Sequence, residues 1–345
     1  MIQFKIKKNI AHICLDRPSK LNALNKDLLR ELSQILDKVE EEEEIKAVCL
    51  DSTSPKAFCA GGDIVEIYKR VQATGEDPLP YFRREFTIDK RIAKFKKPIV
   101  ACLQGVAMGG GLGLTMDCPI KIVDENTKMA MPEACLGMIP DVGMGYFFSN
   151  LPQGLALYLS LTGRTMNGQD AKNISWATHL ISSDKWDSFK EDLFALDLSA
   201  CDEKESLEKI KTLTDSYNTD IEPKYKEEDY REMDQLFGGD SLKEILQEVK
   251  ENRPDLYQDL EEASLLSLAL IYLKYDYGKE WTREETFDMD LKVIDYCYHQ
   301  GDMVEGIRTV MVYKEDEPNF ICHKLEDLPW EDLHELLKGE KDGRR

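Results

Sequence analysis

The hydrophobic positions in the first half of the chain follow two different periods. Residues 2–7 and 10–15 alternate between apolar and polar side chains, which predicts a β-hairpin. Between residues 28 and 39, leucine, isoleucine and valine recur at helical spacing, and Asn25 is placed to cap the start of that helix. Because strand-like and helix-like segments alternate in this way, the pattern predicts an α/β architecture.

Two short apolar runs each lead into a glycine-rich turn. Residues 47–50 and 98–103 are apolar and rich in β-formers, so both are predicted to be buried strands. The first run precedes FCAGGDI at residues 58–64, and the second precedes GVAMGGGLGL at residues 105–114. Each turn is expected to follow its strand and to open a helix.

The composition changes beyond about residue 195, where charged and helix-forming residues dominate. Residues 241–273 predict at least two helices, interrupted at Pro254. We therefore expect a catalytic core over residues 1–195 and a mainly helical region over residues 196–345.

The net charge disfavours two classes of partner, and the cysteines indicate the redox compartment. A formal net charge of −21 disfavours nucleic acid and an anionic membrane surface. The nine cysteines form no CxxC pair and no Cys/His cluster with metal-ligand spacing, which predicts a reducing compartment and no metal. The apolar stretches are too short to span a bilayer, and no targeting segment is visible, although a processed chain would look the same.

The spacing of the glycines separates three interpretations of the turns. No GxxxxGK[ST] sequence is present, so a Walker A phosphate loop is excluded. Residues 109–113 read GGGLG, which does not fit the GxGxxG dinucleotide fingerprint. Tight packing alone is the alternative for either turn by itself. Two such turns can also direct backbone N–H groups at one oxygen, which is the arrangement of an oxyanion hole.

The segments KAFCAGGDI and GVAMGGGLGL resemble the two hallmark segments of the enoyl-CoA hydratase/isomerase (crotonase) superfamily, whose members bind acyl-CoA thioesters. DRPSKLNALN, residues 16–25, is similar to the early segment at which the adenine end of CoA docks in that superfamily. The resemblance implies a crotonase (ClpP/crotonase-like) fold, an α/β fold of repeated ββα units, with a helical C-terminal region. It implies the amides of Gly62 and Gly110 as oxyanion donors, and a CoA-lining set made of Ala60, Gly62, Asp63 and Ile64.

The carboxylates distinguish the reactions of this superfamily. Its hydratases usually carry one glutamate two residues after the glycine triplet and a second in a later Pro-Glu segment. This chain has Gly113 at the first place, so one acid/base group of a hydratase is missing. Glu133 retains the second place, and Asp141 follows eight residues later. Because Pro140 disfavours helix at the residue before it and Gly137 lets the loop turn, both acids can face one site.

The chain most resembles the 3-hydroxyisobutyryl-CoA hydrolase branch of the superfamily, in YFRREF (81–86), in the Pro-Glu to GYF segment (132–147) and in EGIRTVMVYKEDEPNF (305–320). This likeness aligns four residues with substrate-contacting positions: Glu85, Gly110, Glu133 and Asp141. A surface ion pair with a neighbouring arginine is the alternative for Glu85. Cys59, Cys135 and His179 are not expected to be catalysts.

The resemblance implies a thioesterase that hydrolyses 3-hydroxyisobutyryl-CoA in valine catabolism, with Glu133 and Asp141 as catalytic residues. No cofactor is expected, since CoA is part of the substrate. Two alternatives stay open, an enoyl-CoA hydratase or isomerase and a non-catalytic subunit with the same fold. A homo-oligomer is also left open. The expected compartment is the mitochondrial matrix for a processed eukaryotic protein and the cytoplasm otherwise.

Overall fold

The computed structural model describes residues 1–314 and 317–338. Glu315 and Asp316, which belong to the segment of resemblance at 305–320, and residues 339–345 of the predicted helical region lie outside the described residues. Within the described ranges the strands are β1 (Ile2–Lys7), β2 (Ile10–Leu15), β3 (Ala47–Ser52), β4 (Ala57–Cys59), β5 (Ile99–Leu103), β6 (Val106–Met108), β7 (Ile120–Val123), β8 (Lys128–Ala130) and β9 (His179–Leu180).

The α-helices of the same ranges are α1 (Lys26–Glu41), α2 (Ile64–Thr74), α3 (Leu79–Ala93), α4 (Gly110–Gly113), α5 (Met144–Ser149), α6 (Gln153–Thr162), α7 (Gly168–Asn173), α8 (Trp186–Ala195), α9 (Glu203–Tyr217), α10 (Glu227–Phe237), α11 (Leu242–Asn252), α12 (Pro254–Glu261), α13 (Leu265–Tyr277), α14 (Arg283–Gln300), α15 (Asp302–Gly306) and α16 (Trp330–Lys338). Among these helices, none combines the length and the apolar character needed to cross a bilayer. The predicted helical character of the C-terminal region is confirmed.

The strands form two sheets. The larger sheet has the order β1-β2-β3-β5-β7-β9, with β1 and β2 antiparallel and the remaining neighbours parallel. The smaller sheet has the order β4-β6-β8. The pairs β3–β4, β5–β6 and β7–β8 therefore each send one strand to each sheet before the next helix. This confirms the predicted hairpin and the predicted repetition of ββα units.

The chain divides into two compact units, each made of separated segments. The first unit contains residues 1–63, 84–129 and 165–225. The second contains residues 64–83 and 130–164 and continues from Lys226 onward. The assignment of the acyl-CoA chemistry to residues 1–195 stays a prediction.

A core of the first unit lies between the larger sheet and α8. The spacing of Trp186, Phe189 and Leu193 places three large apolar side chains on one face of α8. These side chains are buried together with apolar residues of β2, β3, β5 and β7. Helix α9, which follows residue 195, adds Ile210 to the same core. The large sheet is therefore covered partly by sequence from beyond the predicted boundary.

The second unit is built around two helices that are buried on nearly all sides. In α6, every residue from Gly154 to Leu161 is buried, and α13 is similarly buried from Leu266 to Ile271. A helix that is apolar around its whole circumference is typical of the centre of a bundle. The exception in α13 is Lys274, a charged residue that is nevertheless buried.

Truncation of Phe189 tests the core of the first unit. Its side chain is fully buried and packs edge-on against Tyr217 at a ring-centroid distance of 5.5 Å. We expect Phe189→Ala to lower the free energy of unfolding by about 3–5 kcal/mol in urea denaturation, because the cavity stays largely unfilled. The control is Glu191→Ala on the exposed face of α8, with a change of about 0.5 kcal/mol or less. Equal losses in the two variants would contradict the described core.

Candidate active site

Two glycine-rich turns of the first unit pack backbone against backbone. They follow β4 and β6, which are parallel neighbours. Gly61 has a φ of +96°, and a Cβ atom at this position would lie 3.2 Å from the carbonyl oxygen of Met108. A Cβ atom on Gly111 would lie 2.5 Å from the carbonyl oxygen of Cys59. Because a side chain at Gly111 does not fit between the backbones, the spacing of the two turns depends on glycine.

The amide of Gly62 takes no part in the backbone hydrogen bonds that connect the first turn to Leu24. Leu24 and Gly62 form a parallel bridge. In it, the N–H of Leu24 donates to the carbonyl of Gly61 at 2.8 Å, and the N–H of Asp63 donates to the carbonyl of Leu24 at 2.7 Å. Leu24 thus makes both bonds of the bridge, so the N–H and C=O of Gly62 point away from it. This orientation leaves the Gly62 amide free to donate to a ligand.

Gly110 is the first residue of α4, so its amide has no acceptor within the helix. This helix has only four residues, whereas α2 after the first turn has 11. Each turn therefore opens a helix, as predicted, but the four peptide units after the second turn add only a small helix dipole. The backbone donor itself is the feature of Gly110 that can stabilise negative charge on an oxygen.

Glu85 is buried against Gly110. The glutamate lies on α3 and is only 2% exposed. A Cβ atom on Gly110 would lie 1.9 Å from Glu85 Oε1, so the carboxyl group occupies the space next to this glycine. Glu85 is therefore not at the surface, where the alternative of a surface ion pair would place it. The structure brings together Glu85 and Gly110, two of the residues that the resemblance aligned with substrate contacts.

The early segment braces the first turn through side chains. Asn22 is buried with a φ of +56°, and its Nδ2 donates to the carbonyls of Ala57 and Phe58 at 3.0 and 3.1 Å. Arg17 Nη2 lies 2.7 Å from Asp63 Oδ2. These contacts fix the turn to the loop after β2. The carboxylate of Asp63, which was predicted to line CoA, therefore also has a structural role.

The remaining residues predicted to line CoA lie next to this ion pair in sequence. The N–H of Ala60 donates to the carbonyl of Leu21 at 3.0 Å, which ties the turn to the same early segment. Ile64 is the first residue of α2. The contact of these residues with CoA stays a prediction.

The second unit contains two buried carboxyl groups. Glu133 begins a short 3-10 helix at Glu133–Leu136, and Asp141 lies in the loop before α5. Burial raises the pKa of Glu133 well above its usual range, and the nearby charge of Asp141 raises it further. Glu133 Oε2 is buried and accepts no hydrogen bond from the described residues. The structure thus brings the two predicted acids close enough for their charges to interact.

Asp141 titrates in a range suited to proton transfer. Burial raises its pKa to about 7, the negative charge of Asp290 adds to this effect, and Lys274 opposes it. A carboxyl group whose pKa lies near neutrality exchanges protons efficiently at the working pH of most enzymes. Glu133 and Asp141 together therefore resemble the paired carboxyls of acid/base sites.

Sequence reasoning missed Lys274 and Asp290. Lys274 Nζ donates to the carbonyl oxygen of Pro140 at 2.8 Å and forms an ion pair with Asp290. Asp290 Oδ2 accepts from the N–H of Gly143 at 2.9 Å. A signal that could have found Lys274 is its place in the largely apolar sequence of α13, LLSLALIYLKYDY.

The three residues that were not expected to be catalysts have surroundings that suit structural roles. Burial raises the pKa of Cys59 to about 12 and that of Cys135 to about 11, so both stay protonated at neutral pH. His179 is buried, with Nδ1 2.8 Å from Thr178 Oγ1 and Nε2 2.9 Å from Asp215. Its two ring nitrogens are thus satisfied locally.

One side-chain cluster was not anticipated from the spacing of cysteines and histidines. Donor atoms of His12, Cys49 and Asp51 lie within 4.8 Å of one another in the first unit. Asp51 is already paired with His12 Nε2 at 2.9 Å and with Lys190 Nζ at 3.0 Å. Because the lysine supplies the positive charge that a cation would bring, this cluster is best described as an ion-pair network.

Substitution of Gly111 tests the packing of the two turns. We expect Gly111→Ala to lower the free energy of unfolding by about 1–3 kcal/mol in urea denaturation, because its methyl group meets the Cys59 backbone. Gly278→Ala is the matched control, since the nearest atom to its Cβ lies 3.6 Å away and its φ is −63°. The control should be as stable as the wild type or slightly more stable. A Gly111→Ala protein as stable as the control would rule out the described contact.

Comparison with known proteins identifies the family. The family model described as Enoyl-CoA hydratase/isomerase matches residues 10–337. The chain is 33% identical over 317 residues to the mitochondrial 3-hydroxyisobutyryl-CoA hydrolase of Danio rerio, covering 89% of this chain and 81% of the relative. With the mitochondrial 3-hydroxyisobutyryl-CoA hydrolase of Homo sapiens it shares 30% identity over 336 residues, covering 95% of this chain and 86% of the relative.

A solved structure of a carnitinyl-CoA dehydratase from Mycobacterium thermoresistibile superimposes with a TM-score of 0.86 at 25% identity, covering 97% of this chain and 96% of that one. This similarity over nearly the full length confirms the predicted crotonase fold. Together with the family match over most of the chain, it shows that this protein belongs to the enoyl-CoA hydratase/isomerase family.

Proposed function

We propose that this protein is an acyl-CoA thioester hydrolase that converts 3-hydroxyisobutyryl-CoA to 3-hydroxyisobutyrate and CoA in valine catabolism. The observation that carries the proposal is the pair of buried carboxyls, Glu133 and Asp141, which lie close enough for their charges to interact, in a chain whose curated relatives are named for this reaction. The non-catalytic alternative is disfavoured, because a structural subunit gains nothing from the cost of burying two carboxyl groups.

The absence of a second hydratase carboxylate also supports hydrolysis. Gly113 occupies the place at which hydratases of the family usually carry a glutamate, and it is buried in α4. Adding water across a double bond calls for one group to activate water and another to deliver a proton to carbon. Hydrolysis of a thioester adds no water and no proton to a carbon–carbon double bond. The absence of that glutamate therefore does not impair hydrolysis.

The amides of Gly62 and Gly110 are proposed to bind the thioester oxygen. Both donors belong to the first unit, and the turns that carry them are held in contact by the backbone packing at Gly61 and Gly111. As the carbonyl becomes tetrahedral, its oxygen becomes negative and each aligned donor stabilises it by about 3 kcal/mol. Glu85, packed on Gly110, is proposed as a substrate contact.

Glu133 acts on the thioester by one of two routes. In the first, its carboxylate attacks the carbonyl carbon, the C–S bond breaks, CoA leaves as a thiolate, and water then hydrolyses the mixed anhydride. In the second, the carboxylate takes a proton from water as the water attacks. Asp141 is proposed to orient the substrate 3-hydroxyl or to transfer the proton that the leaving thiolate needs.

The proposal needs no separate cofactor, because CoA enters as part of the substrate. The proposed CoA-lining residues are Ala60, Gly62, Asp63 and Ile64. Assembly into a homo-oligomer is compatible with this chemistry. The proposed compartment is the mitochondrial matrix for a processed eukaryotic protein, as the names of the relatives suggest, and the cytoplasm otherwise.

Simultaneous assays of thiol release and enoyl absorbance test the reaction type. We expect purified protein to release free CoA from 3-hydroxyisobutyryl-CoA without added metal or nucleotide. With crotonyl-CoA, the enoyl absorbance should not fall without a matching release of thiol, since the second hydratase carboxylate is replaced by Gly113. Hydration of crotonyl-CoA without thiol release from the hydroxyacyl substrate would overturn the hydrolase assignment.

Replacement of Glu133 by glutamine tests its catalytic role. Glu133→Gln keeps the size of the side chain but removes its nucleophilic and basic character, so turnover should fall by at least ~100-fold. Glu261→Gln, an exposed change in the same unit, should leave turnover unchanged. Circular dichroism and CoA binding should be near normal in both variants. A folded, CoA-binding Glu133→Gln protein with full turnover would refute this role.

A further inference from the structure

We propose that the buried ion pair of Lys274 and Asp290 positions Asp141 for the reaction. The two residues come from α13 and α14, and they hold the loop that carries Asp141 from both sides. The proposal rests on the proposed hydrolase function for its catalytic meaning. It assigns a role to the C-terminal helices, which the resemblance leaves without one.

The hydrogen bonds of the pair bracket Asp141. Lys274 Nζ donates to the carbonyl of Pro140, the residue immediately before it, at 2.8 Å. Asp290 Oδ2 accepts from the N–H of Gly143, two residues after it, at 2.9 Å. A loop held at both flanks by buried charge-assisted bonds has little freedom to move. The carboxyl group of Asp141 is thereby fixed relative to α13 and α14.

Because the ion pair of Lys274 and Asp290 is buried, a contribution to stability does not by itself explain its presence. The side chains of Lys274 and Asp290 are 5% and 0% exposed. Moving two ions out of water carries a large desolvation cost, and apolar residues of similar volume often give an equally stable core. The neighbouring positions of α13 are filled by such apolar residues. A charged pair at this place therefore points to a role for its charges.

The charges of the pair act on Asp141 with opposite signs. Asp290 raises the pKa of Asp141, and Lys274 lowers it. Among the described residues, Glu133 also faces this site, and its own pKa is raised by Asp141. The buried thiol of Cys297 lies within electrostatic reach of Lys274 as well. Lys274 and Asp290 form an ion pair with each other and also hold the loop that carries Asp141. The same two residues therefore determine both the electric field at Asp141 and the geometry of its loop. Removing either charge changes both the position and the proton affinity of Asp141.

Two single substitutions separate the charges. Asp290→Asn keeps the shape and an oxygen that can accept from Gly143, but it leaves Lys274 uncompensated. In a plot of kcat against pH, the limb that reports the pKa of Asp141 should therefore move to lower pH by about one unit. Lys274→Met removes the positive charge, so the same limb should move to higher pH by a similar amount. In both variants kcat at its optimum should fall at least ~10-fold, with KM nearly unchanged.

Leu270→Ala is the matched control on the same helix. It removes buried apolar volume from α13 without changing any charge, so it should lower stability and leave the pH limb in place. If Lys274→Met does not fold, the nearly isosteric Asp290→Asn decides alone. Folded variants whose limb stays at the wild-type pH, or moves in the direction opposite to that stated, would overturn the proposal.

A second measurement keeps this proposal separate from the proposed function. The carboxyl carbon of Asp141 can be titrated by NMR in protein labelled with ¹³C at aspartate carboxyls, with Asp141→Asn providing the assignment. The expected shifts in pKa are downward in Asp290→Asn and upward in Lys274→Met. This titration needs no turnover, so it tests the effect of the pair even if the wild type releases no thiol. Absence of thiol release alone would refute the function, whereas an unmoved titration would refute the inference.

Discussion

The close approach of two backbones in the first unit is the constraint on which the proposed chemistry depends. The turn after β4 packs against the turn after β6 at distances that exclude a side chain at Gly111 and crowd one at Gly61. This contact requires glycine, and glycine in turn leaves backbone N–H groups accessible to a ligand. Asn22 and Arg17 then hold the first turn from the outside, so the donors are fixed before any substrate binds. Preorganised donors of this kind are effective because they need no rearrangement during the reaction.

The second unit holds two carboxyl groups, those of Glu133 and Asp141, inside a helical core. Burial raises the pKa values of Glu133 and Asp141, the charge of Asp141 raises that of Glu133 further, and the charge of Asp290 raises that of Asp141. Such groups would normally be excluded from a core or paired with a cation. Here the ion pair of Lys274 and Asp290 supplies a nearby cation whose charge is largely balanced by its own partner. The acids thus keep a high proton affinity while the loop that carries Asp141 is held in place.

Local sequence determines much of this arrangement, and its limits follow from the range of the interactions. The hairpin, the cap of Asn25 on α1 and both glycine turns are encoded by neighbouring residues, and all of them are found where the pattern predicts them. The burial of Glu85 depends on how α3 packs, which its charged sequence does not show. The bond from Lys274 to Pro140 spans 134 residues, so no local pattern could pair them. Contacts of this kind become predictable only when the packing of the helices is known.

In the proposed reaction, the amides of Gly62 and Gly110 bind the oxygen of a thioester. A crystal structure with a substrate analogue in which a methylene group replaces the thioester sulfur tests it most directly, because this ketone cannot be hydrolysed at a C–S bond. We expect the carbonyl oxygen to accept hydrogen bonds from both amides, at about 3 Å from each nitrogen. An analogue bound with that oxygen in contact with neither amide would contradict the account.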